Sequence, residues 1–320
     1  VNLCCLRRYL SLDEHKIIQK YFSDVGSAYL AEQGVRVSVG DDAAIVSNSP
    51  NKESIVSIDT SIKDVHFLSS MKAKDIAYRA VAVALSDLAA CGAPPAWYTL
   101  ALTMEDFNEV WLEDFSEGLR MISEEFKFPL IGGDTTKGSL SISVQVTGYC
   151  DQGKALTRKG AKEGDLVFVS GFIGEAARGL KALQNDKDNR KEVLSYLRPN
   201  ARIDLGKRLI GIANSAIDVS DGLIKDLGHI CSESNLGCEV LIEDIPTRST
   251  KPLTGGEINQ GDDYEICFSA NEKHLPEIEV IAKELMIPIT AIGKMTRGNS
   301  VAVKDSQDVE VRIQDGYGHF

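Results

Sequence analysis

Aspartates recur along the chain beside glycine, serine or threonine. Asp41 and Asp42 lie in VGDDAAIV, Asp59 and Asp64 in SIDTSIKDVHF, Asp87 in ALSDLAACG and Asp134 in LIGGDTTKG. Asp218 and Asp221 lie in AIDVSDGL, and Asp262, Asp263 and Glu265 in QGDDYEI. Taken singly, each is an ordinary turn former or helix cap. Taken together, they describe a chemistry. Adjacent carboxylates repel, and Asp87 is flanked by the apolar Val83-Ala84-Leu85 and Ala89-Ala90, so its charge needs a partner if buried. Nearby cations are few: Lys63, Lys137 and Lys225. Hard divalent cations fit the need. Mg²⁺ takes oxygen ligands and reaches proteins through a few carboxylates plus substrate phosphates. Converging aspartates therefore point to a multi-metal nucleotide site.

Other chemistries fit less well. No GxxxxGK[ST] phosphate loop is present, although the two glycines of IGGDTTKG follow an apolar pair, so that backbone amides could approach a phosphate. GFIGEAARGL lacks the GxGxxG spacing, and DTSIKDVHF lacks the ligand spacing and central glycine of an EF-hand. No GxSxG elbow supports Ser-His-Asp hydrolysis. His66, two residues after Asp64, is either a structural histidine or a hydrogen-bond partner of a substrate phosphate.

The 320 residues suggest about two domains. A formal net charge of -12 argues against a nucleic-acid partner, which needs a concentrated basic face. It leaves room for an anionic substrate, because metal ions reverse the local field. No run approaches the roughly 18 apolar residues of a membrane span, and VNLCCLRRYLSL reads as a frayed or helical N-terminus. Seven cysteines without a CxxC pattern are expected to be reduced and mostly structural, in a cytoplasmic protein.

The elements that must position these acids alternate without a strict rhythm. A short helix is expected over 12–22 and strands over 35–39, 43–46 and 54–58. An alanine-rich helix follows over 72–92, ending at Gly92, then a strand over 96–102 and an amphipathic helix over 109–126. LSISVQVTGY is an alternating strand, and rising polarity over 150–164 places a domain boundary there. Beyond it come the strand DLVFVSG, helices over 174–183 and 201–210 separated by a polar linker, QNDKDNRKE, and NSAIDVSDG leading into a helix through Glu233. GCEVLIEDI and DDYEICFSA read as strands, followed by a helix over 275–285 and PITAIGKM. Two α+β domains result, residues 1–150 and 151–320.

Read together, VGDDAAIV, SIDTSIKDVHF, AVALSDLAACGAPPAWYTLAL, LIGGDTTKG, GKALTRKGAKEGD, SAIDVSDGL and the terminal GYGHF resemble the thiamine-monophosphate kinase family, of the aminoimidazole ribonucleotide synthetase-like superfamily. The resemblance runs from Tyr21 to Phe320. It implies that superfamily's two-domain fold, with a dimer-forming N-terminal α/β domain and a C-terminal α/β domain that completes the site. It implies ATP-dependent phosphorylation of thiamine monophosphate, several Mg²⁺ ions and a homodimer, with no nucleic acid and no membrane. Carried over residue by residue, Asp42, Ser57, Asp59, Asp87, Asp134, Asp218 and Asp221 resemble the metal site. Gly133, Asp134, Arg158 and Ser220 resemble the nucleotide contacts. His66, Asp262 and Tyr317 resemble the substrate contacts.

Two departures stand out. The family commonly has S-T-D where this chain has Ser57-Ile58-Asp59, and isoleucine offers no side-chain oxygen. Asp262 stands where a glutamate is usual, one methylene shorter. The implied acceptor is a phosphate monoester, largely ionised near neutral pH, so no general base is nominated; catalysis would be electrostatic. A sister enzyme sharing the metal aspartates, such as an ATP-dependent synthetase, and a non-catalytic cation-binding protein are the alternatives.

Overall fold

The computed structural model describes residues 14–41, 43–47, 50–185, 190–249 and 253–318. In chain order the first part runs α1 (Glu14–Tyr21), β1 (Val35–Val37), β2 (Ile45–Val46), β3 (Lys52–Ile62), α2 (Ala73–Ala90), β4 (Pro95–Met104), α3 (Glu109–Phe126), β5 (Leu130–Lys137) and β6 (Ser141–Asp151). The second begins β7 (Leu166–Ser170), α4 (Glu175–Gln184), α5 (Arg190–Leu197), α6 (Ile203–Leu209), β8 (Ala213–Asp218) and α7 (Leu223–Ser234). It ends β9 (Gly237–Leu241), β10 (Ile266–Ala270), α8 (Leu275–Leu285), β11 (Ile289–Thr296) and β12 (Val301–Lys304).

The first part builds a four-stranded sheet in the order β3-β6-β4-β5, with only β4 and β5 parallel. The second builds a six-stranded sheet in the order β12-β9-β11-β7-β10-β8, with only β12 and β9 parallel. Helix α3 covers the first sheet with Leu112, Phe115, Leu119 and Ile122, a three-four spacing that makes one apolar stripe. The Asn108 side chain caps it by accepting the Trp111 N–H.

Helix α2 is buried on nearly every side, packed against α3, β3 and β6 as well as α6 and β8 of the second part. That position explains its alanines. A Cβ on Gly118 of α3 would overlap the Lys74 carbonyl oxygen, and one on Gly206 of α6 would overlap that of Ala89. Backbones approach this closely only over small residues. The helix stops where Gly92 turns left-handed, at φ 72°, as its glycine suggests.

Several segments depart from their sequence patterns. IGGDTTKG, given no element in the sequence reading, forms most of β5, an edge strand whose Gly133 pairs with Leu100. The two glycines differ in what they meet. A Cβ on Gly133 would overlap the Leu100 carbonyl oxygen, whereas one on Gly132 would meet nothing within 4 Å. Gly133→Ala should therefore cost about 1–3 kcal/mol of stability, and Gly132→Ala far less. Urea midpoints measure the difference, and equal midpoints would refute it. The polar linker contains the start of α5, although 186–189 lie outside the described residues. DDYEICFSA becomes strand only from Ile266; before it, Asp262 and Tyr264 both hold positive φ, 66° and 50°.

Candidate active site

Strand β3 is longer than its sequence suggested, so Asp59 sits inside a strand rather than at its end. Asp87 lies in the last turn of α2, and Asp134 lies inside β5. None of these three is a turn former or a helix N-cap. Asp64 is: at φ 59° it accepts the Ser69 N–H at 2.9 Å.

Asp59, Asp87 and Asp218 approach one another from β3, α2 and the end of β8. The Ser57 hydroxyl donates to Asp87 Oδ2. Asp218 is 4% exposed. Burial pushes the Asp59 carboxyl up to about 6, and the Asp87 charge adds to it. Asp87 is raised by burial, against the Ser57 hydrogen bond and the positive charge of Arg158. Asp218 is raised well above the carboxylate range by burial, then by Asp87, Asp226 and Asp59. Such crowding of like charges is what a bound cation relieves.

The loop after β8 is held by a residue the sequence did not single out. Asp226 Oδ2 accepts three successive backbone N–H groups, from Ser220, Asp221 and Gly222, at 3.0, 3.0 and 3.1 Å. Burial still pushes its carboxyl up to about 7. Asn259 Oδ1 accepts the N–H groups of Ile224 and Lys225, both at 3.1 Å, capping α7 from a distant loop. Lys225 Nζ donates to Asp221 Oδ2 at 2.7 Å and to the Tyr317 carbonyl, so the C-terminal segment is fastened to the same loop.

These elements surround a cavity of about 420 Å³. Asp59, Asp87, Asp218, Ser220 and Asp221 line it, as do His66, Asp262 and Tyr317. His66 Nδ1 accepts the Ile62 N–H at 3.0 Å, which puts the proton of its neutral ring on Nε2. Its ring meets that of Tyr317 edge-on, with centroids 6.5 Å apart. Three residues that line or brace the cavity went unnoticed in the sequence: Arg79, Tyr196 and Tyr264. Arg79 carried a signal, being the one charged residue of α2 between Asp75 and Asp87.

The remaining expected residues lie elsewhere. Ser57 touches the cavity through Asp87. Arg158 is exposed and reaches Asp87 by charge. Gly133 and Asp134 line a separate depression with Val39, Ile18 and Phe22, at the far edge of the four-stranded sheet. Asp42 lies outside the described residues.

Among the described residues, no three His, Cys, Asp or Glu side chains are grouped tightly enough to enclose an ion by themselves. Poorly solvated carboxylates facing one cavity are chemically suited to oxygen-liganded cations and phosphate.

Asp263, next to Asp262, has a structural role. Its carboxylate accepts the N–H groups of Gly174 and Ala176, at 2.8 and 3.2 Å, at the start of α4. Enclosure pushes it up to about 7, with the Glu265 and Asp262 charges adding. The unfolded carboxyl titrates near ~3.9. Between these values the native state keeps a proton that the unfolded chain has lost, so this group's contribution to stability declines as pH rises through the window. Denaturant midpoints at about pH 5 and about pH 8 should fall more in wild type than in Asp263→Asn. An equal fall in both would sink the assignment.

The family profile for AIR synthase related protein, N-terminal domain, matches residues 40–150, and that for its C-terminal domain matches residues 162–306. The thiamine-monophosphate kinase of Escherichia coli (strain K12) is 41% identical over 332 residues, covering 97% of this chain and 99% of its own. The crystal structure of thiamine-monophosphate kinase from Stenotrophomonas maltophilia K279a is similar with a TM-score of 0.81 at 37% identity, covering 88% of this chain and 96% of that one. AaThiL complexed with AMPPCP and TMP gives a TM-score of 0.75 at 28% identity, covering 92% and 95%.

Proposed function

Because the chain belongs to the thiamine-monophosphate kinase family, with the two-domain α/β fold of AIR synthase related proteins, we propose that its carboxylate-lined cavity carries out phosphoryl transfer in a single direct step. The protein is an ATP-dependent phosphotransferase that converts thiamine monophosphate to thiamine diphosphate. One observation supports the location above all. Asp59, Asp87, Asp218 and Asp221, from three separate segments, face the same cavity as His66, Asp262 and Tyr317.

In this reading His66 Nε2–H donates to the acceptor's phosphate, and Tyr317 walls the heterocycle. Ser220, Gly133 and Arg158 contact the nucleotide. Asp42, Ser57, Asp59, Asp87, Asp134, Asp218 and Asp221 would hold Mg²⁺, which neutralises phosphate charge and steadies the oxygens in transfer. No side chain is assigned as general base, because the attacking phosphate oxygen is already ionised. Residues 1–150 form the metal-binding and dimer-forming domain, and residues 151–320 complete the nucleotide and substrate site.

A homodimer is part of the proposal. Strand β3 exposes Val56 and Ile58, at 61% and 66%, on the side opposite Ser57 and Asp59. Apolar side chains aligned on an uncovered sheet face favour a second copy. The register adds a reason. Asp59 pairs with Val144, Val144 with Leu100 and Leu100 with Gly133, so Asp59 and the GGD segment are three strand spacings apart, about 14 Å. A partner seated on the open face would bring its own β5 edge to this chain's β3 edge, making each site from two chains.

We place the protein in the cytoplasm. Cys91, Cys150, Cys231, Cys238 and Cys267 are free thiols, which suits a reducing compartment. Among the described residues no helix is long and apolar enough to cross a membrane.

The test is ADP release with Mg-ATP and thiamine monophosphate, with free thiamine and an aminoimidazole ribonucleotide precursor as competing acceptors. Thiamine diphosphate should form from the monophosphate alone. Its absence at every Mg²⁺ concentration would overturn the proposal. Radiolabelled ATP without acceptor should leave the protein unlabelled; a labelled protein would exclude direct transfer.

A further inference from the structure

Arg79 is 4% exposed, yet it reaches the wall of the cavity. Its Nη1 donates to the Tyr196 carbonyl at 2.6 Å, and its Nη2 donates to Asp262 Oδ1 at 2.5 Å. The guanidinium lies over the Tyr196 ring, 4.2 Å from its centroid, and 5.7 Å from that of Tyr264. The Tyr264 hydroxyl donates to the same Oδ1 at 3.0 Å. One oxygen of Asp262 is thus held by two donors, from α2 and from its own loop. Among the described residues the other oxygen, Oδ2, receives no hydrogen bond.

The loop itself is fixed. The N–H groups of Asp262 and Tyr264 donate to the carbonyls of Ser220 and Val219, both at 2.8 Å. Asp262 and Tyr264 keep left-handed backbones, which non-glycine residues hold only where their surroundings over-determine them, commonly at ligand clamps. Here the tension is spent on aiming one carboxylate.

We propose that Arg79 is a specificity-determining positioning residue: with Tyr264 it fixes Asp262 Oδ1 and offers Oδ2 to the cavity as a single acceptor for an N–H donor on the acceptor's heterocycle. The inference rests on the assignment of the cavity to thiamine monophosphate, whose pyrimidine carries an exocyclic amine. Because Arg79 already neutralises Asp262, the pair selects a hydrogen-bond donor rather than a cation. A site built this way rejects an analogue in which the donor is replaced by an acceptor, since two lone pairs then face each other.

The test compares wild type with Arg79→Lys and Tyr264→Phe, using thiamine monophosphate and oxythiamine monophosphate, in which an oxo group replaces the amine. Lysine keeps the charge but not the planar fork. Arg79→Lys should raise KM for thiamine monophosphate about tenfold with kcat within about twofold, and should lower the preference for the amino acceptor by about tenfold. Tyr264→Phe should move both in the same direction by less. Calorimetric affinity for a non-hydrolysable ATP analogue should stay at the wild-type value in both. Unchanged KM and preference in Arg79→Lys would overturn the inference, as would a fall in kcat alone. If that variant does not fold, an unchanged preference in Tyr264→Phe overturns it. A wild type that converts both acceptors equally well also overturns it while leaving the cavity assignment standing. A wild type that makes no thiamine diphosphate overturns the assignment itself.

Discussion

Asp59→Asn should lower kcat by about 10³ while leaving the metal-free protein at least as stable as wild type near pH 8. The two halves of this expectation share one cause. Asp59 faces the cavity, with its carboxyl pushed up to about 6 by burial and by the Asp87 charge. A raised carboxyl favours the native state while protonated, and that contribution is lost as pH rises through the folded value. Near pH 8 the charge is present and unfavourable unless a cation answers it. Asparagine has nearly the same shape and no charge, so it relieves the repulsion in the free protein and removes a ligand from the working one. Stopped assays of ADP release and denaturant melts in chelator read the two halves separately. A variant that keeps more than a tenth of wild-type turnover, or melts well below wild type, would rule out Asp59 as a metal ligand.

The second large effect concerns mixtures. If each site draws Asp59 from one chain and Asp134 from its partner, Asp59→Asn and Asp134→Asn chains should each be nearly inactive alone and regain activity together. A mixed dimer would place both substitutions in one site and leave the other intact. With random pairing, half the dimers are mixed, so recovery should approach about a quarter of wild-type activity. If both residues serve the same chain's site, every site in every dimer carries one substitution and nothing is regained. Co-expression with two affinity tags isolates the mixed species. The expectation rests on the three strand spacings between Asp59 and the GGD segment, and on their separation into different depressions of the surface.

What the sequence disclosed depended on how local the cause was. The limits of α3 and α8 matched residue for residue, because an apolar stripe is written within a few turns, and in α3 a capping asparagine as well. The acidic motifs were visible as residue types. Their convergence was not, since Asp59, Asp87 and Asp218 are joined only by tertiary packing of β3, α2 and β8. The glycines of IGGDTTKG were legible as backbone able to approach a phosphate; that Gly133 must also be glycine to clear the neighbouring Leu100 carbonyl is a contact between strands that no single segment can reveal. Asp262 was legible as an acid one methylene short; its capture by Arg79, far away in the chain, was not. Arg79 itself could have been found, since a buried arginine in an alanine helix must have a partner. The three amides gathered by Asp226 had no signal beyond an acid a few residues past DVSDG.

Helix α2 carries both Arg79 and Asp87, eight residues apart on one rigid rod. At about 1.5 Å per residue that is about 12 Å along the axis and about 2.2 turns, so the two side chains leave the helix about 80° apart. Both line the same cavity at this fixed interval. In the proposed function, one would set where the acceptor's ring is read and the other where its phosphate meets the nucleotide, and the helix between them would act as a ruler for the length of the acceptor. An insertion or deletion of one residue between them would turn one end away by about 100°, whereas most single substitutions on the rod would only loosen its packing.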